Sequence, residues 1–237
     1  MRIQRWLVIL FGALLGAAVT ARLGLWQIDR AQQKRALHAL IEQRMAQPPV
    51  DGAALAATPD AAAQQHYRPV RLRGHWLAER TVFLDNRQMN GRPGFFVVTP
   101  LQVADGGAVL VQRGWVPRDL AQRTRLPAID TPAGERELQG RIAPPPARLF
   151  EFDAAASGPI RQNLDLGAFA AEIGVVLKPL SVQELSADAD LAQDWALPLL
   201  DVSKHLGYAF QWFALSALIT GLYVWFQLVR PRLRRLA

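Results

Sequence analysis

The strongest constraint on this chain is an uncharged apolar run near its C-terminus. Residues 206–229 contain no Asp, Glu, Lys or Arg, and Arg230, Arg232, Arg234 and Arg235 follow at once. As a helix rising about 1.5 Å per residue, the run is about 36 Å long, enough to cross a bilayer. A second apolar run fills residues 6–28, preceded by Arg2 and Arg5 and interrupted by Arg22. A signal peptide is the competing reading of that run, because Val19-Thr20-Ala21 resembles a small-residue cleavage site. The run is long for a signal core and its helical pattern continues without a break, which favours a retained span.

The charge distribution supports two spans. The chain carries a net +7, which invites a nucleic-acid reading. Residues 1–34 and 205–237 hold nine of the 27 basic residues and one of the 20 acidic ones, so residues 35–204 carry 18 and 19, a net −1. A nucleic-acid binder concentrates its excess on the folded part. Here the excess flanks the apolar runs, as topology signals do. Both termini therefore read as cytoplasmic and the long middle as extracytoplasmic.

The chain lacks cysteine. That excludes a disulfide framework, thiolate zinc or iron–sulfur sites, thiol redox catalysis and covalent c-type haem attachment. Only Met1, Met45 and Met89 offer soft sulfur, which argues against a copper chaperone. No nucleophile elbow, zinc-protease motif, P-loop or dinucleotide fingerprint is present, and the histidines (His38, His66, His75, His205) are scattered. The chain reads as a non-enzyme.

The expected fold is an α+β membrane protein: two transmembrane helices flanking an extracytoplasmic, mainly antiparallel β domain with one helix. Residues 1–5 form the cytoplasmic N-terminus, 6–28 the first span, 29–204 the outer domain, 206–229 the second span and 230–237 a basic cytoplasmic tail. Within the outer domain, Leu37, Leu40, Ile41 and Met45 at helical spacing predict a helical extension over 29–46. The Ala/Pro/Gly-rich stretch 47–66 reads as a linker, and 67–182 as the β-rich core. Val70, Leu72, Gly74 and Trp76 alternate with polar residues, as in a half-buried strand. Asp105-Gly106-Gly107 predicts a hairpin. Asn163 or Asp165 caps a helix that Gly174 stops. The sum is a compact antiparallel sheet or small barrel.

His205, Tyr208 and Trp212 fall at i, i+3 and i+7 and share one face of the second span. Arg22, Trp26, Arg30 and Lys34 are spaced by four and share a face of the first. Antiparallel spans place the two faces at one membrane level, offering an imidazole, aromatic walls and cations. Haem suits such a set: imidazole on iron, aromatics on the macrocycle, arginines on the propionates. The bland reading also stands. His205 is then an interfacial polar residue, Tyr208, Trp212 and Trp26 belt aromatics, and Arg22 a snorkelling cation. Arg113-Gly114-Trp115 is either a strand end turning a corner or, if exposed, a partner-binding patch.

Leu23-Gly24-Leu25-Trp26-Gln27-Ile28-Asp29-Arg30 with Lys34 resembles the signature that closes the first span in the Surfeit-locus (Surf-one, or Shy) family of cytochrome c oxidase assembly factors. Further landmarks follow in order: Tyr67-Arg68, the Gly74 strand, Leu84-Asp85-Asn86-Arg87, Gly94 to Thr99-Pro100-Leu101, residues 111–117, Pro179-Leu180, and His205-x-x-Tyr208-Ala209-x-Gln211-Trp212-Phe213. The resemblance implies a multi-pass protein of the bacterial inner (cell) membrane whose outer domain is periplasmic. It also implies transient binding of haem a and assistance in its delivery to, or insertion into, oxidase subunit I. Subunit I, membrane lipid and haem a synthase are the implied partners. His205 matches the favoured iron ligand, with Tyr208, Trp212, Arg22, Trp26 and Arg30 as cofactor-binding residues and Arg113, Gly114 and Trp115 as the partner site. Ser203 and Lys204 depart from the family's asparagine before that histidine, which puts a hydrogen bond to the ligand in doubt. The alternative is a cofactor-free membrane scaffold that stabilises an oxidase intermediate through its outer domain.

Overall fold

A computed structural model describes residues 2–119, 121–122, 125–150, 158–186, 190–197 and 202–236. Met1 of the expected N-terminal segment and Ala237 of the expected tail lie outside the described residues. The chain divides into two compact units, Met1–Leu40 with Pro198–Ala237, and Ile41–Leu197.

Helix α1 (Arg2–Met45) is one continuous 44-residue helix whose residues up to Leu40 belong to the first unit and whose last turn belongs to the second. Opposite it lies α4 (Val202–Tyr223), continued by a π-helical stretch, Val224–Val229, and a short α5 (Arg230–Leu236). Both long helices are long and apolar enough to cross a membrane. Large apolar side chains such as Phe11, Phe210 and Leu218 lie exposed along them.

Small residues let the helices approach closely. Thr20 and Ala31 on α1 and Ala209 on α4 are buried. A Cβ on Gly24 would come within 2.8 Å of the Phe213 ring. Ser216 Oγ donates to the Ala17 carbonyl at 2.9 Å, fixing the helix register. The seam therefore follows Gly16, Thr20, Gly24, Gln27 and Ala31. Gly12 and Gly221 lie off this seam, with nothing within 4 Å of a would-be Cβ.

The second unit holds strands β1 (Val50–Asp51), β2 (Pro69–Trp76), β3 (Val82–Met89), β4 (Arg92–Val103), β5 (Ala108–Pro117), β6 (Glu135–Ala143), β7 (Ile160–Arg161) and β8 (Leu177–Glu184). Helices α2 (Pro59–Gln65) and α3 (Leu166–Ile173) complete it. The strand order is β1-β2-β6-β8-β5-β4-β3-β7, and β2 also pairs with β4. That extra pairing closes β2, β6, β8, β5 and β4 into a five-stranded ring.

The sheet is mixed, correcting the expectation of a mainly antiparallel domain. A closed ring must contain an even number of antiparallel pairings, so five strands cannot all alternate. The odd pairing is β5–β8, which is parallel. β1–β2 and β3–β7 are parallel as well. Inward-facing Val70, Leu72, Leu101, Val109, Val111, Leu138, Ile142, Leu180 and Val182 fill the ring.

The stretch read as a linker, 47–66, is also corrected. It contributes β1, a 3-10 turn and α2, and its Val50, Leu55 and Ala62 are buried in the same core. Pro59 at the start of α2 suits the first helical turn, where its missing N–H has no partner to lose. The single expected helix is α3. Asp165 accepts from Ala168 N at its start, and Gly174 ends it at φ +70°. Strand β3 continues to Met89 through a register shift beside Asn86, and a tight turn at Asn90-Gly91, with both residues at positive φ, leads into β4.

Arg44 in the last turn of α1 donates to the carbonyls of Ala63 and His66 at 3.0 and 3.2 Å, tying that helix end to α2. Burial, helped by Arg44, holds the His66 imidazole below the usual histidine range, and its Nε2 is buried without a hydrogen-bond partner. Below about pH 6.5 the unfolded chain binds a proton at His66 that the folded unit resists. Stability is thus complete above that pH and is lost as pH falls toward the depressed folded value. Thermal unfolding of the full-length chain at pH 7.5 and 5.5 should show a drop of a few degrees, and His66→Gln should flatten it.

Candidate functional site

The site builds from the α1–α4 seam. His205 opens the second turn of α4, and its Nδ1 lies 2.7 Å from Gln27 Oε1. A carboxamide oxygen only accepts, so Nδ1 carries the proton and donates. In the neutral ring that tautomer leaves the lone pair on Nε2. The result is a half-buried imidazole with its Nδ1 edge committed to Gln27 across the seam.

The other expected residues gather unevenly. Trp212 is half-buried on the His205 side of α4. Tyr208 is 53% exposed, at the edge of that face. At about 100° per residue, Arg22 points roughly 140° away from Gln27 around α1, and it is exposed. Trp26 is 44% exposed. Its ring stacks under the Arg30 guanidinium, 5.6 Å from the centroid. Arg30, roughly 60° from Gln27, also donates to Gln33 Oε1 at 3.1 Å. The structure therefore brings His205 and Trp212 toward α1, leaves Arg30 beside that face, and separates Arg22 from it.

A haem fits this arrangement in its ligand chemistry. An imidazole nitrogen, aromatic neighbours and the Arg30 cation beside that face are the groups that would suit iron, macrocycle and one propionate. Arg22 does not join such a set.

Gln27, the partner of His205 across the seam, is the residue that spacing of charges and aromatics missed. Its signal was the small-residue stripe: it falls on the line from Gly16 through Thr20 and Gly24 to Ala31, so its polar end must meet the opposite helix.

The expected partner patch is corrected. Arg113 and Trp115 are 3% and 5% exposed, and a Cβ on Gly114 would lie 2.5 Å from Leu191 Cβ. Residues 191–195 cover the corner, with Ala192 and Trp115 exchanging backbone hydrogen bonds. Arg113 donates to Thr131 Oγ1 and the Asp130 carbonyl, both at 2.7 Å, and stacks over Trp76. Trp115 Nε1 donates to the Arg87 carbonyl at 2.9 Å. These side chains hold the domain together. Arg113→Ala should lower the stability of this unit by about 2 kcal/mol, measured by urea unfolding.

A recess of about 330 Å³ in the same unit is lined by Arg87, Phe96, Trp195 and Pro144 to Pro146. The terminal nitrogens of Arg87 already serve the carbonyls of Ala147 and Gln162 at 2.8 and 2.9 Å. It acts as a clamp on two loops. Among the described residues no cluster of three or more His, Asp or Glu could hold a metal ion.

The profile of the SURF1 family matches residues 14–217, which include both Gln27 and His205. A SURF1-like protein of Rickettsia bellii (strain RML369-C) is 28% identical over 213 residues, covering 85% of this chain and 83% of the relative. A SURF1-like protein of Drosophila melanogaster is 28% identical over 243 residues, with 93% and 77% covered. The cytochrome oxidase assembly protein SHY1 of Saccharomyces cerevisiae is 37% identical over 95 residues, 40% of this chain and 24% of its own length.

Proposed function

The chain belongs to the SURF1 family, and from that premise we propose that it is a membrane assembly factor for cytochrome oxidase that binds haem a as cargo and assists its delivery to subunit I. The observation that carries the haem reading is the His205–Gln27 pair, which leaves one imidazole nitrogen available on a helix long enough to span a bilayer. His205 is the iron ligand, Trp212 and Tyr208 line the macrocycle, and Arg30 meets a propionate. Arg22 serves the lipid headgroups. The name of the yeast relative supports the oxidase role.

Both termini lie in the cytoplasm of a bacterial cell, by the arginines that flank each span, and the β unit faces the periplasm. A cargo protein must release what it binds, so a single axial nitrogen suits delivery better than two. Subunit I is the receiving partner and haem a synthase the donor.

The test is loss of the gene in a cell that makes haem a. The oxidase recovered should carry less haem a per subunit I, and the wild-type gene should restore it. Full haem loading of subunit I without this protein would overturn the delivery role. A purified chain that co-purifies with subunit I yet carries no haem a would support the scaffold reading.

A further inference from the structure

We propose that Gln27 is the positioning residue for His205: its carboxamide oxygen fixes the Nδ1–H tautomer, turns Nε2 outward as the donor atom, and keeps the ring a moderate rather than a strong ligand. The inference rests on the haem reading for its purpose, and on the structure alone for its geometry.

Three observations carry it. The Nδ1–Oε1 distance is 2.7 Å, a full hydrogen bond between residues 178 apart in sequence. The helices that carry the pair are held in register on its inner side by the Phe213 ring against Gly24 and by the Ser216–Ala17 hydrogen bond. Neither ring nor amide can therefore drift by sliding of the helices. Lastly, the partner is uncharged. A second group on the far ring nitrogen orients an imidazole ligand and sets its basicity, and a carboxylate there pushes the ring toward imidazolate. A carboxamide orients without that push, which suits a ligand that must let go. It also avoids placing an anion near the end of an apolar span. The hydrogen bond thus fills the role that the change to Ser203-Lys204 left in doubt.

The experiment uses the full-length chain in nanodiscs with ¹⁵N-labelled histidine, at pH 8 where imidazole is neutral. The His205 signal is assigned by its loss in His205→Ala. The wild type should show a protonated Nδ1 and a bare Nε2. Gln27→Leu should lose that preference, and Gln27→Glu should keep it. Haem a titration then reads the consequence. Gln27→Leu should bind about 10- to 100-fold more weakly. Gln27→Glu should bind at least as tightly as wild type, with a lower haem midpoint potential and slower transfer to an acceptor. A wild-type Nε2–H tautomer, or a tautomer unchanged in Gln27→Leu, overturns the proposal. If the tautomers behave as stated while the wild type takes up no haem a, the positioning role stands and the haem reading falls.

Discussion

His205→Ala should abolish stable haem a binding, with an affinity loss on the order of 100-fold or more. On the proposed reading, the imidazole would supply the one ligand bond that distinguishes this site from generic partition of a porphyrin into an apolar helix pair. Without it, only contact with Trp212 and Tyr208 and the charge of Arg30 remain. The loss should exceed that of Gln27→Leu, because orienting a ligand is worth less than the ligand itself. Titration of haem a into the full-length protein in detergent, followed in the Soret region, measures both. Added imidazole should partly restore the spectrum in His205→Ala, which a folding defect would not allow. An unchanged spectrum in the variant removes His205 from the iron.

Gly74→Ala should produce the largest fall in stability. Gly74 lies where β2 pairs with β6 on one side, opposite Arg136, and with β4 on the other, opposite Val103. A Cβ there would sit 2.0 Å from the Gln102 carbonyl oxygen, with the Leu101 side chain at 3.2 Å. The obstruction is backbone, which cannot rotate away as the end of a side chain can. Relief requires β2 and β4 to separate, and their pairing is the one that closes the ring. Overpacking of this kind costs about 3 kcal/mol, which for a unit of this size lowers Tm by about 6–12 °C. Circular dichroism of the full-length chain on heating measures it. An unchanged Tm would mean that the ring does not close at Gly74.

The sequence disclosed most where one residue type controls the outcome. An absence of charge over residues 206–229 marks a helix whatever surrounds it. Asp165 and Gly174 bracket α3 because a cap oxygen and a left-handed residue are local requirements. Residues 105–107 turn the β4–β5 hairpin for the same reason: Asp105 Oδ1 accepts from Gly107 N at 3.1 Å. What stayed hidden depended on distant parts of the chain. Residues 47–66 have the composition of a linker, and only the assembled barrel gives Val50, Leu55 and Ala62 something to pack against. The parallel β5–β8 pairing follows from the number of strands in the ring, which no single strand encodes. Arg113 looked exposed because arginine usually is, yet Thr131 and Asp130 engage its terminal nitrogens and Trp76 its flat face inside the unit.

The candidate site divided in the same way. His205 stands out in the sequence because a histidine at the start of an apolar span is conspicuous. Gln27 does not, since a neutral amide carries no charge to notice, and its meaning lies in which residue faces it across the seam. The grouping of Arg22 with Trp26 and Arg30 followed their spacing of four. That spacing makes them neighbours on α1 but does not aim them at α4, and the packed face is set by Thr20, Gly24 and Ala31 instead.

The most direct measurement is the visible spectrum of the full-length wild-type protein purified from membranes of cells that make haem a. Haem a bands should co-elute with the protein, approach one haem per chain, and disappear in His205→Ala. A colourless wild-type protein from the same membranes, still able to retain subunit I, would contradict it.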